Sequence, residues 1–168
     1  MDITSYLLGK NASGGGGSSS TILTGKEKFA YSNFGEFPEW LLNATGWENY
    51  TDMSYIFSNC SVLITIPLID TSNVTTMQAS FYNSQNIESI PTLNTSKVTN
   101  FNSMFYSCNR LNNESLDNIL QMCINATSYT GTKTLKTLGI DNALFYPTSR
   151  LQSLPHYQNF INAGWVLK

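Results

Sequence analysis

The sequence repeats with a period of 24 residues, and this repeat restricts the possible folds more than any other feature. One repeat position holds Met53, Met77 and Phe101, and a position four residues later is phenylalanine in all three units. A fixed period of this length is typical of proteins whose units stack, because one unit cannot bury its own apolar face. We therefore expect a core of repeat residues, namely Met53, Phe57, Leu63, Met77, Phe81, Ile87, Phe101, Phe105 and Leu111.

The spacing within a unit predicts its local structure. Two large side chains four residues apart, as in Met53 and Phe57, share one face of a short helical turn. Leu63 and Ile66 then belong to a short extended segment that points into the stack, and Pro67 ends that segment. These features predict an α/β repeat fold, a leucine-rich-repeat-like solenoid with short parallel strands and short helical turns.

The C-terminal part of the chain departs from the repeat. Apolar residues recur with a helical period in residues 114–125, and residues 151–163 read as a second helix. Residues 133–140 and 165–167 read as strands. We therefore expect longer helices in the C-terminal coils, where they would cap the stack.

Composition divides the chain into four segments. Residues 1–12 form a short amphipathic peptide, and residues 13–25 contain a Gly/Ser-rich linker. Residues 26–49 are dense in aromatic side chains, as an N-terminal cap over the first coil would be. Residues 50–168 hold the repeat solenoid and its C-terminal capping coils.

The first segment is interpreted as an anchor. Ile3, Tyr6, Leu7 and Leu8 are too apolar for a free tail, and the glycine tract separates them from the repeat core. The start of the chain has no basic residues before this apolar stretch, unlike a secretion signal. The peptide is therefore expected to bind another protein, and it could also join copies of the chain into a homo-oligomer.

The repeat has a family resemblance. The segments from Val74-Thr75-Thr76-Met77 to Phe81 and from Val98-Thr99-Asn100-Phe101 to Leu111 resemble the BspA-like leucine-rich repeats. Ser84 in place of cysteine and Phe101 in place of methionine are the departures, and both are conservative for packing. The resemblance implies a surface protein with a role in adhesion. Together with the anchor and the linker, it makes the chain similar to bacteriophage virion proteins such as head fibres or tail appendages.

Composition and spacing argue against several functions. A net charge of −2 supplies no basic field for nucleic acid, and no apolar run is long enough to enter a membrane. His156 has no recognisable nucleophile partner, and the carboxylates are scattered, so we expect no catalytic residues. Cys60 and Cys108 lie two repeats apart, about 10 Å in a stack, which is too far for a disulfide. We expect no metal site and no cofactor.

One exposed feature of the repeat is a candidate binding face. Tyr82 and Tyr106 occupy the same repeat position, and Asn83 follows the first of them. Stacked tyrosines could form a strip that binds a sugar or a protein. The alternative interpretation is that the two rings only cover the turn beneath them.

These features lead to a functional hypothesis. The chain is a non-enzymatic binding module made in a host cytoplasm and displayed on a virion surface, where its N-terminal peptide contacts other virion proteins. Its receptor is a protein or glycan on a cell surface. One alternative is a bacterial cell-surface adhesin or antigen fragment that binds a host protein. A third is a carbohydrate-active enzyme, which would require two carboxylates facing one groove.

Overall fold

The structure is a computed structural model that describes residues 21–32, 35–140 and 146–167. Within these ranges the helices are α1 (Glu39–Leu42), α2 (Asn113–Asn125), α3 (Thr148–Gln152) and α4 (Tyr157–Asn162), with a 3-10 helix at Trp47–Asn49. Between Tyr50 and Leu111 the chain consists of turns, irregular segments and isolated bridges, and the described residues contain no β-strand. No helix in these ranges is long and apolar enough to cross a membrane.

The predicted leucine-rich-repeat-like solenoid with short parallel strands is wrong. Adjacent units of the described chain share only isolated parallel bridges, such as Thr65 with Ser89, and no sheet forms. At this bridge the Ser89 N–H donates to the carbonyl oxygen of Ile64 at 3.2 Å. The next donor in a parallel ladder lies two residues further along and is Pro91, which has no N–H. The pairing therefore stops after one bridge.

The predicted helical turn between Met53 and Phe57 is also wrong. Tyr55 lies between them with a φ of 60°, in the left-handed region, so the chain cannot continue as a right-handed helix. The backbone N–H groups instead donate to the next unit: that of Met53 to the carbonyl of Thr76 at 3.0 Å, and that of Phe57 to the carbonyl of Ser80 at 2.8 Å. The units are joined by backbone hydrogen bonds between turns.

The C-terminal predictions are mixed. The helix predicted over residues 114–125 is confirmed as α2, whose first turn is capped by the Asn112 side chain accepting from the Ser115 N–H at 2.8 Å. The single helix predicted over residues 151–163 is wrong, because two short helices, α3 and α4, flank a break that contains Pro155. The two predicted strands are wrong as well: Thr134 and Val166 form one isolated bridge.

The core is organised around a row of aromatic rings. Phe57 stacks on Phe81 with ring centroids 5.9 Å apart, and Phe81 stacks on Phe105 at 5.5 Å, with nearly parallel planes. Phe29 extends the row at 5.5 Å from Phe57 and so belongs to the same stack. The structure buries all nine repeat residues named above, which are Met53, Phe57, Leu63, Met77, Phe81, Ile87, Phe101, Phe105 and Leu111.

Small side chains that donate hydrogen bonds, Ser84 and Cys108, lie beside the phenylalanine row at one repeat position. The Ser84 hydroxyl donates to the carbonyl of Phe57 at 2.7 Å, and the Cys108 thiol donates to the carbonyl of Phe81 at 3.1 Å. Burial raises the pKa of Cys108 to about 12, so the thiol stays protonated and remains a donor. All three cysteines of the chain are buried free thiols. Ser84 and Cys108 therefore each tie a unit to the preceding one.

The two ends of the stack are covered by different structures. At the N-terminal end Trp47 stacks on Tyr50, with centroids 5.5 Å apart; both are buried, and Trp47 lies 6.4 Å from Phe57 of the phenylalanine row. At the C-terminal end Trp165 stacks on Tyr129 at 5.3 Å, and Tyr129 contacts Phe101 edge to face. Aromatic groups thus shield from water the faces of the first and last units.

Candidate binding surface around Tyr82 and Tyr106

The two tyrosines of the predicted binding face lie in contact on the protein surface. Their ring centroids are 5.0 Å apart and their planes differ by 10°, so the rings stack in parallel. Tyr106 is 49% exposed and Tyr82 is partly exposed. An offset parallel pair of this kind contributes about 0.5–1.5 kcal/mol beyond its buried area and restricts both rings.

Backbone hydrogen bonds between units set the positions of both tyrosines. The Asn59 N–H donates to the carbonyl of Tyr82, and the Asn83 N–H donates to the carbonyl of Tyr106, each at 2.7 Å. Asn59 and Asn83 have φ values of 58° and 57°, a left-handed conformation that asparagine adopts more readily than most residues. Each tyrosine therefore lies on a turn that is bonded to its neighbour on the scaffold.

Three side-chain amides form a hydrogen-bonded chain beside these turns. Gln85 Nε2 donates to Asn83 Oδ1 at 2.8 Å, and Asn83 Nδ2 donates to Asn59 Oδ1 at 2.9 Å. We call Tyr82, Tyr106 and these three amides, five residues in all, the tyrosine surface. Sequence reasoning found Tyr82, Tyr106 and Asn83 but missed Asn59 and Gln85. The signal for Asn59 was its place 24 residues before Asn83.

The tyrosine pair ends on both sides at residues without large side chains. The repeat position before Tyr82 is Ser58, so the first unit adds no third ring. On the other side Gly139 lies against Tyr106: a Cβ on Gly139 would be 2.6 Å from the Tyr106 backbone nitrogen, and its φ is +83°. Only glycine fits this close approach without strain. Among the residues that the structure describes, Tyr82 and Tyr106 therefore stack only on each other.

The tyrosine surface contains no ionisable side chain other than the two phenols. Glu88 and Arg110, charged residues of the adjoining segment, pair with each other at 2.6 Å, and both side chains are in contact with solvent. Arg110 also donates to the side-chain oxygen of Asn86 at 3.2 Å. Because opposite charges in contact cancel at a distance, this pair adds little net field at the surface.

Comparison with known proteins places the repeat in a family. The family model described as "Mycoplasma protein of unknown function, DUF285" matches residues 32–134, which is more than half of the chain. The chain belongs to the DUF285 family. DUF285 is associated with BspA-like repeat surface proteins. No curated protein and no solved structure matches the chain.

The DUF285 match includes the whole tyrosine surface and stops before α3 and α4. Asp117 of α2 lies within the match and joins the C-terminal helices to it. Its carboxylate accepts from the backbone N–H of His156 at 2.8 Å and lies 2.7 Å from Nδ1 of the same residue. The geometry makes this pair a link between α2 and the start of α4.

The remaining predicted sites of the DUF285 chain are distributed as follows. The anchor residues Ile3, Tyr6, Leu7 and Leu8 lie outside the described residues. Among the residues that the structure describes, no group of three or more His, Cys, Asp or Glu side chains could hold a metal ion. An open cleft of about 490 Å³ lies between the turn at residues 92–96 and the end of α2, and its lining is uncharged.

Proposed function

We propose that this chain is a non-enzymatic binding module whose tyrosine surface attaches to a receptor on a cell surface. The observation that carries the proposal is the parallel pair of Tyr82 and Tyr106, held in an exposed position by backbone bonds from the neighbouring turns. Rigid aromatic groups on a fixed scaffold bind with a low loss of conformational entropy. The uncharged cleft at the end of α2 offers no acid and base for catalysis.

We further propose that the module is displayed on a bacteriophage particle. Its N-terminal peptide would contact other virion proteins, and the Gly/Ser-rich linker would let the module move relative to that attachment. Several copies on one particle would add avidity to a weak individual contact. No metal or organic cofactor takes part in this function.

The second candidate function is that of an adhesin on a bacterial cell. The family description favours this candidate, because DUF285 is described from Mycoplasma and is associated with repeat surface proteins. The two candidates share the tyrosine surface and differ in what residues 1–12 bind.

The role of the tyrosine surface can be tested with a double substitution, Tyr82→Ser with Tyr106→Ser. Serine occupies the equivalent position of the first unit, as Ser58, so the backbone should accept it. We expect the double variant to bind at least tenfold less well to a panel of fixed bacterial and cultured mammalian cells, measured by flow cytometry with labelled full-length chain.

The matched control for this test is Tyr55→Ser. Tyr55 is as exposed as Tyr106, at 49%, but occupies a different repeat position, in which the third unit carries Ser103. The control should bind cells as the original chain does. Equal binding by the double variant and the original chain would contradict the proposed function.

The role of residues 1–12 can be tested by deleting them. We expect the shortened chain to keep its melting temperature, because the glycine tract separates the peptide from the repeat core. We expect it to lose incorporation into particles or assembly into oligomers, measured by sedimentation. Replacing Ile3, Tyr6, Leu7 and Leu8 by serine should have the same effect as the deletion. A large drop in melting temperature would place the peptide in the core, and unchanged incorporation would place the anchor in the repeats.

A further inference from the structure

We infer that the ligand of the tyrosine surface is an uncharged oligosaccharide. This inference rests on the proposed function and specifies the chemical class of the receptor. Three properties of the surface support it: the exposure of the stacked tyrosine pair, the chain of side-chain amides beside it, and the absence of lysine, arginine, aspartate and glutamate from its five residues.

The tyrosine pair offers flat apolar faces of the size of a sugar ring. Tyr82 and Tyr106 contact each other on their inner sides, and the neighbouring positions hold Ser58 and Gly139 instead of further rings. A pyranose ring presents C–H groups on its faces, and these pack against an aromatic face in the same way as other apolar groups. One sugar residue could therefore pack against the exposed part of the pair.

The amide chain supplies hydrogen-bonding groups of both kinds beside the rings. An amide carries two N–H donors and an acceptor oxygen, and the internal bonds of the chain use only some of them. The chain runs from Gln85 through Asn83 to Asn59, so its two ends are the Gln85 side-chain oxygen, an acceptor, and the Asn59 Nδ2 group, a donor. A sugar hydroxyl both donates and accepts, so it can bond to either end.

No lysine, arginine, aspartate or glutamate belongs to the tyrosine surface, and this composition disfavours ionic ligands. A sialylated or sulfated glycan, or a nucleic acid, would require lysine or arginine side chains near the rings. The nearby arginine, Arg110, is already paired with Glu88 at 2.6 Å. An uncharged ligand loses less solvation energy than an ion on contact with such a surface.

The extent of the surface favours a glycan over a folded protein receptor. A specific protein interface buries roughly 800 Å² on each partner and has an apolar centre. The tyrosine surface consists of two rings and three amides, and its neighbours at equivalent repeat positions, such as Ser107 and Asn109, are small or polar. This area suits one or two sugar residues.

The test is an array of immobilised oligosaccharides, both neutral and acidic, probed with the full-length chain. We expect binding to a subset of neutral glycans, and competition by a soluble neutral polysaccharide that contains the same sugar. The Tyr82→Ser and Tyr106→Ser double variant should bind the same glycans at least tenfold less well, whereas Tyr55→Ser should bind as the original chain does.

The amides are tested by a separate substitution, Asn83→Gly. Glycine adopts the φ of 57° found at this position, so the turn should form while the amide is lost. We expect binding to the neutral glycans to fall severalfold with no loss of stability beyond that of a surface substitution. Binding that is unchanged in Asn83→Gly would contradict the role of the amides.

Two pretreatments of cells separate this inference from the proposed function. Periodate cleaves the vicinal diols of sugars, and a broad protease removes exposed proteins. We expect periodate to abolish cell binding by the original chain. If the double variant loses cell binding while periodate has no effect and protease abolishes binding, the receptor is a protein: the inference is then wrong and the proposed function stands. Preferential binding to acidic glycans on the array would also overturn the inference.

Discussion

Replacing Phe81 by alanine is expected to lower the free energy of unfolding by about 3–5 kcal/mol. Phe81 is an inner ring of the row, with Phe57 on one side and Phe105 on the other at centroid distances of 5.9 and 5.5 Å. It is 2% exposed. The rings on both sides are held by their own units and cannot both move into the space, so a cavity remains.

The measurement is equilibrium unfolding in urea, followed by circular dichroism and tryptophan fluorescence. Phe81→Leu is the graded control, because leucine retains most of the apolar volume and should cost less than alanine. Tyr55→Ser is the surface control and should change the free energy by no more than about 0.5 kcal/mol. A cost below about 1 kcal/mol for Phe81→Ala would mean that the phenylalanine row is not the core of the stack.

Replacing Ser84 by alanine is expected to lower the free energy of unfolding by about 2–4 kcal/mol. The Ser84 hydroxyl is fully buried and makes two bonds across the unit boundary: it donates to the carbonyl of Phe57 at 2.7 Å and accepts from the N–H of Cys60 at 3.0 Å. Alanine would leave both backbone groups buried without a partner, at about 1–3 kcal/mol each.

The repeat itself provides the control for this substitution. Cysteine occupies the same repeat position in the neighbouring units, as Cys60 and Cys108, and the Cys108 thiol donates to the preceding phenylalanine carbonyl at 3.1 Å. Ser84→Cys should therefore cost less than about 1 kcal/mol, since the thiol is a weaker donor and acceptor but fills the same place. Equal costs for Ser84→Ala and Ser84→Cys would show that the hydroxyl bonds do not contribute to stability.

The two substitutions act on different contacts between units. Phe81→Ala removes apolar contacts on both sides of one unit, whereas Ser84→Ala breaks polar contacts to the preceding unit only. In a stack, each unit is stabilised mainly by its neighbours. The tyrosine surface is built across the same boundaries, since Asn59 and Asn83 each bond to the carbonyl of a tyrosine in the next unit. Loss of stacking should therefore disturb the binding surface as well as the core.

The sequence alone predicted which residues are buried, because burial depends on the type of side chain and on its position in the 24-residue repeat. Large apolar residues that recur every 24 positions, such as Met53, Met77 and Phe101, have to share one environment if the units stack. The same reasoning located α2, where the apolar spacing changes to that of a helix. It also brought Tyr82 next to Tyr106, since residues one repeat apart become neighbours in a stack.

The path of the backbone between these residues was decided only by the tertiary structure. The spacing of four residues between Met53 and Phe57 is compatible with a helical turn. It is equally compatible with a turn in which Tyr55 is left-handed. The two differ in which carbonyl groups accept from the backbone N–H groups of Met53 and Phe57. Those acceptors belong to the next unit. Strand pairing failed for a similar reason, because the register between units brought Pro91 to the position where the ladder needs a donor.

The same limit applies to the N-terminal cap and to the binding surface. Phe29 joins the phenylalanine row although it lies 28 residues before Phe57, and this change of spacing breaks the pattern that identifies the other members. Asn59 and Gln85 joined the tyrosine surface through hydrogen bonds to Asn83. A repeat in the sequence specifies which side chains face the core, but the hydrogen bonds of polar side chains depend on distances that only the stacked units define.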